Sequence, residues 1–462
     1  MGLAVAAGVS PTARAIWPFD SGDERSFGER ASELLSRAIA IRTVDSVQAE
    51  RELARLLVDA ADDAGLDADL VETDAGRSIA WARLDGDGAG RPIVLLSHLD
   101  VVPAVAEEWS VPPFEGRIAN GHVIGRGALD AKGIAVVHLH AMAALADRDE
   151  PLPRDVILIV TPDEESGGRE GAGWLIEKAP KLLADAEFVL TEGGNVRVGG
   201  PRVPNVWGVA VAEKSPCWLE LDARGRSGHS AMPSADAAVP RLVAALDAVR
   251  RIETGIHVTP EVQRMYRAFA RAAPAEDRPG YLDLRRALTE DRRFRRRFLG
   301  NPGHNALVRN TLAITVLEGG DRTNVVPARA RARIDARLLP GESCDDLAHA
   351  VANVVADDAV AVRTLLDTSS PASPIETPLF EAIARVAARE DPGSLVVPRL
   401  IAGSTDARHF RSIGITSYGF TPRWLTAPDT RGIHGANESV SIANLDRGVR
   451  TLVAILVEVG GE

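Results

Sequence analysis

The sequence is 462 residues long, more than one hydrophobic core ordinarily serves, so two or three units are expected. Its 45% hydrophobic and 26% charged content is that of an ordinary globular protein, and a net charge of -12 argues against nucleic acid or an anionic membrane as the main partner. Cys217 and Cys344 are the only cysteines, too few and too far apart in sequence for a disulfide framework or a thiolate metal site. No stretch reaches the roughly 20 apolar residues of a membrane span. The opening "MGLAVAAGVSPTARA" lacks a basic leading region and a Leu-rich core, so it reads as a disordered leader, and the cytoplasm is the expected location.

In chain order, "RPIVLLSHLD" is the first apolar run of strand length. A glycine-framed loop, "GRGALDAKG", leads into a predicted helix over 131–147. The run "RDVILIVTPDEE" follows, then a helical pattern in "EGAGWLIEKAPKLL", then the strand "AEFVLTEGG". This alternation is the rhythm of a parallel βαβ sheet. The turn-like "DGDGAG" (85–90) is too short for a calcium loop and predicts a hairpin turn. After about residue 213 the pattern changes to half-buried strands, "CWLELDARGRSGHSAMP", "NTLAITVLEGG" and "ARARARIDARLLPG", with a long helix from about Ala235. The charged stretch between them, including "RRFRRRF", has interspersed acids and predicts a solvated helix face. The α/β pattern returns at about 340 and ends in the helix "ANLDRGVRTLVAILVEV". The expected architecture is α/β, a mostly parallel sheet flanked by helices, with an inserted α+β domain; the boundaries fall at 1–213, 214–339 and 340–462.

The chemistry lies at the strand ends, where open α/β sheets gather ligands. His98 and Asp100 stand two apart in "SHLDVV" and share a face. Asp130 precedes a helix, Asp163, Glu164 and Glu165 follow the second strand, Glu192 follows the third, and His434 lies in "GIHGANES". Taken singly, each also fits a plain role: a polar strand end, a helix N-cap, a solvated acidic loop. Taken together, His98, His434, Asp130, Glu165 and Glu192 form an N/O donor set suited to zinc, or to cobalt or manganese. Two divalent cations against three carboxylates leave one positive charge, which suits one hydroxide, and Glu164 is left over as a base for the attacking water. His138 and His140, two apart in a helix, are assigned to packing.

These residues carry a resemblance. His98-x-Asp100, Asp130 in "GRGALDAKG", Glu164-Glu165, Glu192 in "TEGG" and His434 in "HGANE" together resemble the metallopeptidase family of aminoacylases, glutamate carboxypeptidase and succinyl-diaminopimelate desuccinylase. Through "EEWSVPPFEG", "AVAEKS", "NALVRNT" and "IHGANE" the chain is most similar to the branch of vacuolar carboxypeptidase S and the secreted N-fatty-acyl amino-acid synthase/hydrolases. The resemblance implies a di-zinc peptidase-like catalytic domain, with His98, Asp130, Glu165, Glu192 and His434 as ligands and Asp130 bridging two metals. It implies Glu164 as general base and Asp100 as the group orienting His98. The inserted domain then resembles the family's lid, in which His229 polarises the scissile carbonyl and Asn324 and Arg337 hold the substrate, Arg337 gripping a carboxylate. The loop "GSTDARHF" adds Ser404, Thr405 and Arg408 as substrate contacts. The implied function is hydrolysis of an amide next to a free carboxylate, in a peptide or N-acyl amino acid, with a homodimer through the lid domain allowed. A deacylase of a biosynthetic N-acyl intermediate and a catalytically silent peptide-binding relative are the alternatives.

Overall fold

The computed structural model describes residues 25–201 and 203–460; the leader expected at the N-terminus lies outside the described residues. The chain divides into two compact units. One comprises Met1–Gly208, Ile375–Val396 and Ile415–Glu462, the other Val209–Pro374 and Val397–Gly414.

The first unit is α/β. Its mixed sheet runs in the order Asp67–Glu72, Ser78–Leu84, Val156–Thr161, Ile93–His98, Phe188–Thr191 and Thr416–Gly419, then Val206–Glu213, Asn195–Arg197 and Trp424–Leu425. Ile93–His98 lies parallel to both Val156–Thr161 and Phe188–Thr191, and every residue of these three strands is buried. Such continuous apolar runs mark parallel strands covered by helices on both faces. Helix Lys132–Ala146 packs on the strands Ile93–His98 and Val156–Thr161 and also against helices Phe27–Ala40 and Ile442–Gly460, while Val47–Asp63 covers Ser78–Leu84. Residues 85–90 do not make a hairpin. Ser78–Leu84 and Ile93–His98 flank the same strand, Val156–Thr161, so the connection passes its end, where Asp87 and Gly90 donate to the carbonyls of Leu152 and Pro153 at 2.8 and 2.7 Å.

The second unit is α+β. Four antiparallel strands, in the order Thr311–Glu318, Arg329–Leu338, Ser215–Arg224 and Val360–Asp367, bury one face, Cys217, Leu219, Leu221, Ala332, Ile334 and Ala336 among it, against helices Ala238–Arg250 and Cys344–Val355. The inserted unit therefore runs past the expected boundary at 339, because Val360–Asp367 pairs with Ser215–Arg224 and Cys344–Val355 packs on the same sheet. The "RRFRRRF" segment forms helix Arg292–Gly300, which buries Phe294 and Phe298 in an aromatic cluster with Tyr266, Tyr281 and His304 while most of its arginines face out. Cys217 and Cys344, 127 residues apart in sequence, form a disulfide. Sequence distance predicted no such pairing; strand Ser215–Arg224 and the start of helix Cys344–Val355 meet in the core and bring the two thiols together.

Candidate active site

Parallel register sets the site. His98 ends its strand opposite Thr161, and the neighbouring strand Phe188–Thr191 runs the same way, so the chain delivers His98, Glu164, Glu165 and Glu192 to one sheet edge. Asp130 joins them from the loop before helix Lys132–Ala146. No side chain caps that helix, so Asp130 is not spent as an N-cap; its two oxygens face two imidazoles. Oδ1 lies 3.1 Å from His98 Nε2, and Oδ2 lies 3.3 Å from His434 Nε2. Glu192 Oε2 stands 3.8 Å from the same His98 nitrogen, and Glu165 Oε1 stands 3.3 Å from the same His434 nitrogen.

The three consecutive carboxylates after Thr161 part company. Asp163, at φ 75°, turns its side chain away from the site to Arg77, 2.9 Å distant, and accepts the Glu170 amide at 2.9 Å. Glu164 and Glu165 are left at the sheet edge, their backbone amides donating to Asp100 Oδ1 and Oδ2 at 3.2 and 2.9 Å. Asp100 thus anchors the glutamate pair. The hydrogen bond of His98 Nδ1 goes to the Asp100 backbone carbonyl, at 2.9 Å, with the carboxylate at 3.6 Å. The expected orienting group is therefore the main chain of Asp100 more than its side chain.

Like charges packed this closely perturb one another. Burial and the repulsion of Asp130 push the Glu192 carboxyl up to about 7. The Asp130 and Glu165 carboxylates beside it raise the His434 imidazole to about 10. Burial opposes protonation of His98, but Asp100, Asp130 and Glu192 hold its imidazole well above the ordinary value. Burial likewise works against ionisation of Asp130, and the two imidazoles hold its carboxyl well below the usual range. Such a cluster calls for cations.

The donors suit metal ions. In a tetrahedral site with bonds of about 2.0–2.1 Å, neighbouring donor atoms stand about 3.3 Å apart, and the contacts around His98 and His434 span 3.1 to 3.8 Å. Oε1 of Glu165 is buried and accepts no hydrogen bond. His98, Asp130 and Glu165 present donor atoms within 4.8 Å of one another, as do His98, Glu164 and Glu192. Glu164 therefore stands within reach of the same pocket. This is a candidate metal site, with Asp130 shared between a His98–Glu192 side and a His434–Glu165 side.

The second unit holds the remaining expected residues. Exposed His229 pairs in a short ladder with Val325, and the Ser230 amide donates to the Asn324 carbonyl at 3.3 Å, so His229 and Asn324 are neighbours. Arg337 grips Asp335 through Nε and Nη2 at 2.8 and 3.1 Å and donates Nη1 to Ser404 Oγ at 3.0 Å. Arg408 is 3% exposed and donates to the Thr405 carbonyl at 2.6 Å, which places it inside its loop. Thr405 is buried as well, its hydroxyl on Glu213.

Sequence reasoning missed the group behind Asp130. Glu438, fully buried, accepts from the Gly127, Leu129 and Asp130 amides and from Arg126. Both residues lie in motifs that the resemblance rests on, "GRGALDAKG" and "HGANE". A sequence alone does not show that they are buried.

A sequence profile of Peptidase family M20/M25/M40 matches residues 94–458. The chain belongs to that family and is an enzyme of the hydrolase class. It is 32% identical over 381 residues to the mouse N-fatty-acyl-amino acid synthase/hydrolase PM20D1, covering 79% of this chain and 73% of that protein. It is 28% identical over 373 residues to a probable carboxypeptidase S-like 2 of Dictyostelium discoideum, covering 79% and 70%. Among solved structures, an M20 family metallo-carboxypeptidase from Sulfolobus solfataricus shares the fold, with a TM-score of 0.74 at 19% identity, over 93% of this chain and 99% of that one.

Proposed function

We propose that this chain hydrolyses an amide bond adjacent to a free carboxylate, in a peptide or an N-acyl amino acid, at a pair of divalent ions. The observation that carries the proposal is the placement of Asp130, one oxygen toward each imidazole, with a second carboxylate beside each ring. His98, Asp130 and Glu192 would hold one ion, and Asp130, Glu165 and His434 the other; zinc suits this N/O set. When bound, the pair lowers the pKa of water toward neutrality and polarises the scissile carbonyl. Glu164 accepts a proton from the attacking water and returns it to the leaving nitrogen, so charge balances across the step. Asp100 holds the backbone of the glutamate pair so that Glu164 keeps its aim.

In the second unit we assign Arg337 to the substrate carboxylate, Asn324, Ser404 and His229 to substrate contact, and Arg408 to shaping the Ser404 loop. Asp335 already occupies the Arg337 fork, so a substrate carboxylate competes with it. A homodimer through this unit is supported by strand Thr311–Glu318, which pairs on one side alone among the described residues and exposes Ile314 and Leu317; light scattering checks it. No described helix is long and apolar enough to cross a membrane. The Cys217–Cys344 bond supports an oxidising compartment over the cytoplasm first expected.

A panel of dipeptides and N-acyl amino acids, assayed with and without chelator, tests the function. Hydrolysis of members bearing a free carboxylate, lost on chelation and restored by zinc, is expected. Full activity in chelator ends the metal reading, and equal rates on the corresponding amides end the carboxylate preference.

A further inference from the structure

The two loops that carry Asp130 and His434 leave a single small sheet. Strand His122–Ile124 pairs with Ser439–Ser441, Ile124 opposite Ser439, and the Gly125 amide closes the ladder on the Glu438 carbonyl at 2.9 Å. From there one strand runs on to Asp130 and the other runs back to His434. Glu438 sits at the fork, and its carboxylate is saturated. Oε1 accepts the Leu129 and Asp130 amides at 2.6 and 2.9 Å; Oε2 accepts the Gly127 amide at 3.1 Å and Arg126 Nη1 at 2.7 Å. Arg126 in turn reaches across with Nη2 to the carbonyl of Gly435, at 3.0 Å, the residue after His434. Glu438 is fully buried and Arg126 is 2% exposed.

Resting on the di-metal reading above, we infer that Glu438, through Arg126, is the positioning residue that sets the spacing between Asp130 and His434 and so shapes the His434 side of the site in particular. The selectivity follows from what else supports each side. The Asp130 loop is tied to the His98 strand independently, since Ser97 Oγ donates to the Ala131 carbonyl at 3.1 Å, and Arg423 donates to the Leu129 carbonyl. His98 is buried and fixed by the Asp100 carbonyl. His434 has a side chain 53% exposed, a backbone at φ 57°, and Arg126 gripping its neighbour. Removing the clamp should loosen His434 while leaving the His98, Asp130 and Glu192 contacts in place. A buried carboxylate that accepts four N–H groups cannot be replaced by an amide, whose nitrogen offers those donors no lone pair.

Chelator-stripped wild type, Glu438→Gln and Arg126→Lys are titrated with zinc against a competing chelator, and the visible spectrum is followed on cobalt loading. Arg126→Lys keeps the charge opposite Glu438 but lacks the fork that spans Glu438 and Gly435, and it carries the test should Glu438→Gln fail to fold. The wild type should bind two ions. Each folded variant should bind the second about 10- to 100-fold more weakly, the usual effect of losing a group that orients ligands, with the first affinity kept and the cobalt absorption of the second site missing. Two ions at wild-type affinities in a folded variant overturn the inference and leave the di-metal reading standing. Equal weakening of both ions overturns it in favour of a general packing role. A wild type that binds no zinc overturns both.

Discussion

At the scale of single residues, the adjacent Glu164 and Glu165 are the sharpest case of one residue type proposed for two roles. Both amides are pinned on Asp100, and Glu165 places an oxygen beside His434, at 3.3 Å. Glu165→Ala should lower metal content, because one ion loses a charged donor. Glu164→Gln should retain both ions while kcat falls roughly 10²- to 10⁴-fold, the usual contribution of a placed proton acceptor. Metal analysis and turnover on both variants decide the assignment; a Glu164→Gln protein that loses metal reverses it, an outcome that matters because Glu164 also lies within ligand reach. That His98, Glu165 and Glu192 stand near one sheet edge was legible in the sequence because strand ends can be read from apolar runs, whereas Asp130 and His434 come from loops and were singled out by their motifs. The work done by Asp100 was not, since which of its oxygens His98 faces depends on backbone geometry.

At the scale of the element, helix Lys132–Ala146 shows how tertiary burial decides what a polar residue does. His138 is fully buried, neither ring nitrogen has a hydrogen-bond partner, and burial with the nearby Arg423 charge pulls its imidazole down from 6.5 to about 3. Between those values the unfolded chain binds the proton and the folded one does not. The stability this neutral histidine allows is thus complete above about 6.5 and is lost as pH falls toward 3. His138→Leu should flatten that acid limb, worth on the order of 3 kcal/mol by pH 4. Denaturant titrations at pH 4 and 7 check it, and an unchanged difference between wild type and variant would remove His138 from the acid response. His140, two residues on, donates to the Val136 carbonyl at 2.8 Å and serves its own helix.

At the scale of the whole molecule, the Cys217–Cys344 bond joins a strand and a helix of the second unit across 127 residues of sequence. Closing so long a loop should stabilise that unit by roughly 3–5 kcal/mol through the unfolded chain's lost freedom. Thiol titration of unreduced protein should find no free cysteine, and reduction should lower the melting temperature by on the order of 10 °C. Free thiols in protein purified without reductant would refute the pairing and remove the ground for an oxidising compartment.

Local periodicity and strand-end chemistry suffice for the α/β class, the run of parallel strands, the antiparallel insert and the identity of the polar residues gathered at one sheet edge. Each of these depends on neighbours in sequence or on the fixed direction of a parallel strand. Tertiary structure alone settled the rest. Residues 344–367 could pass for a return to the first unit until their strand paired with Ser215–Arg224. The cysteines met only when strand and helix shared a core. Glu438 and Arg126, 312 residues apart in sequence, became a buried pair only when their two loops left the same small sheet. Such contacts join segments that no window of sequence holds together, and burial, which decides whether a charge is solvated or structural, exists only once the chain has closed on itself.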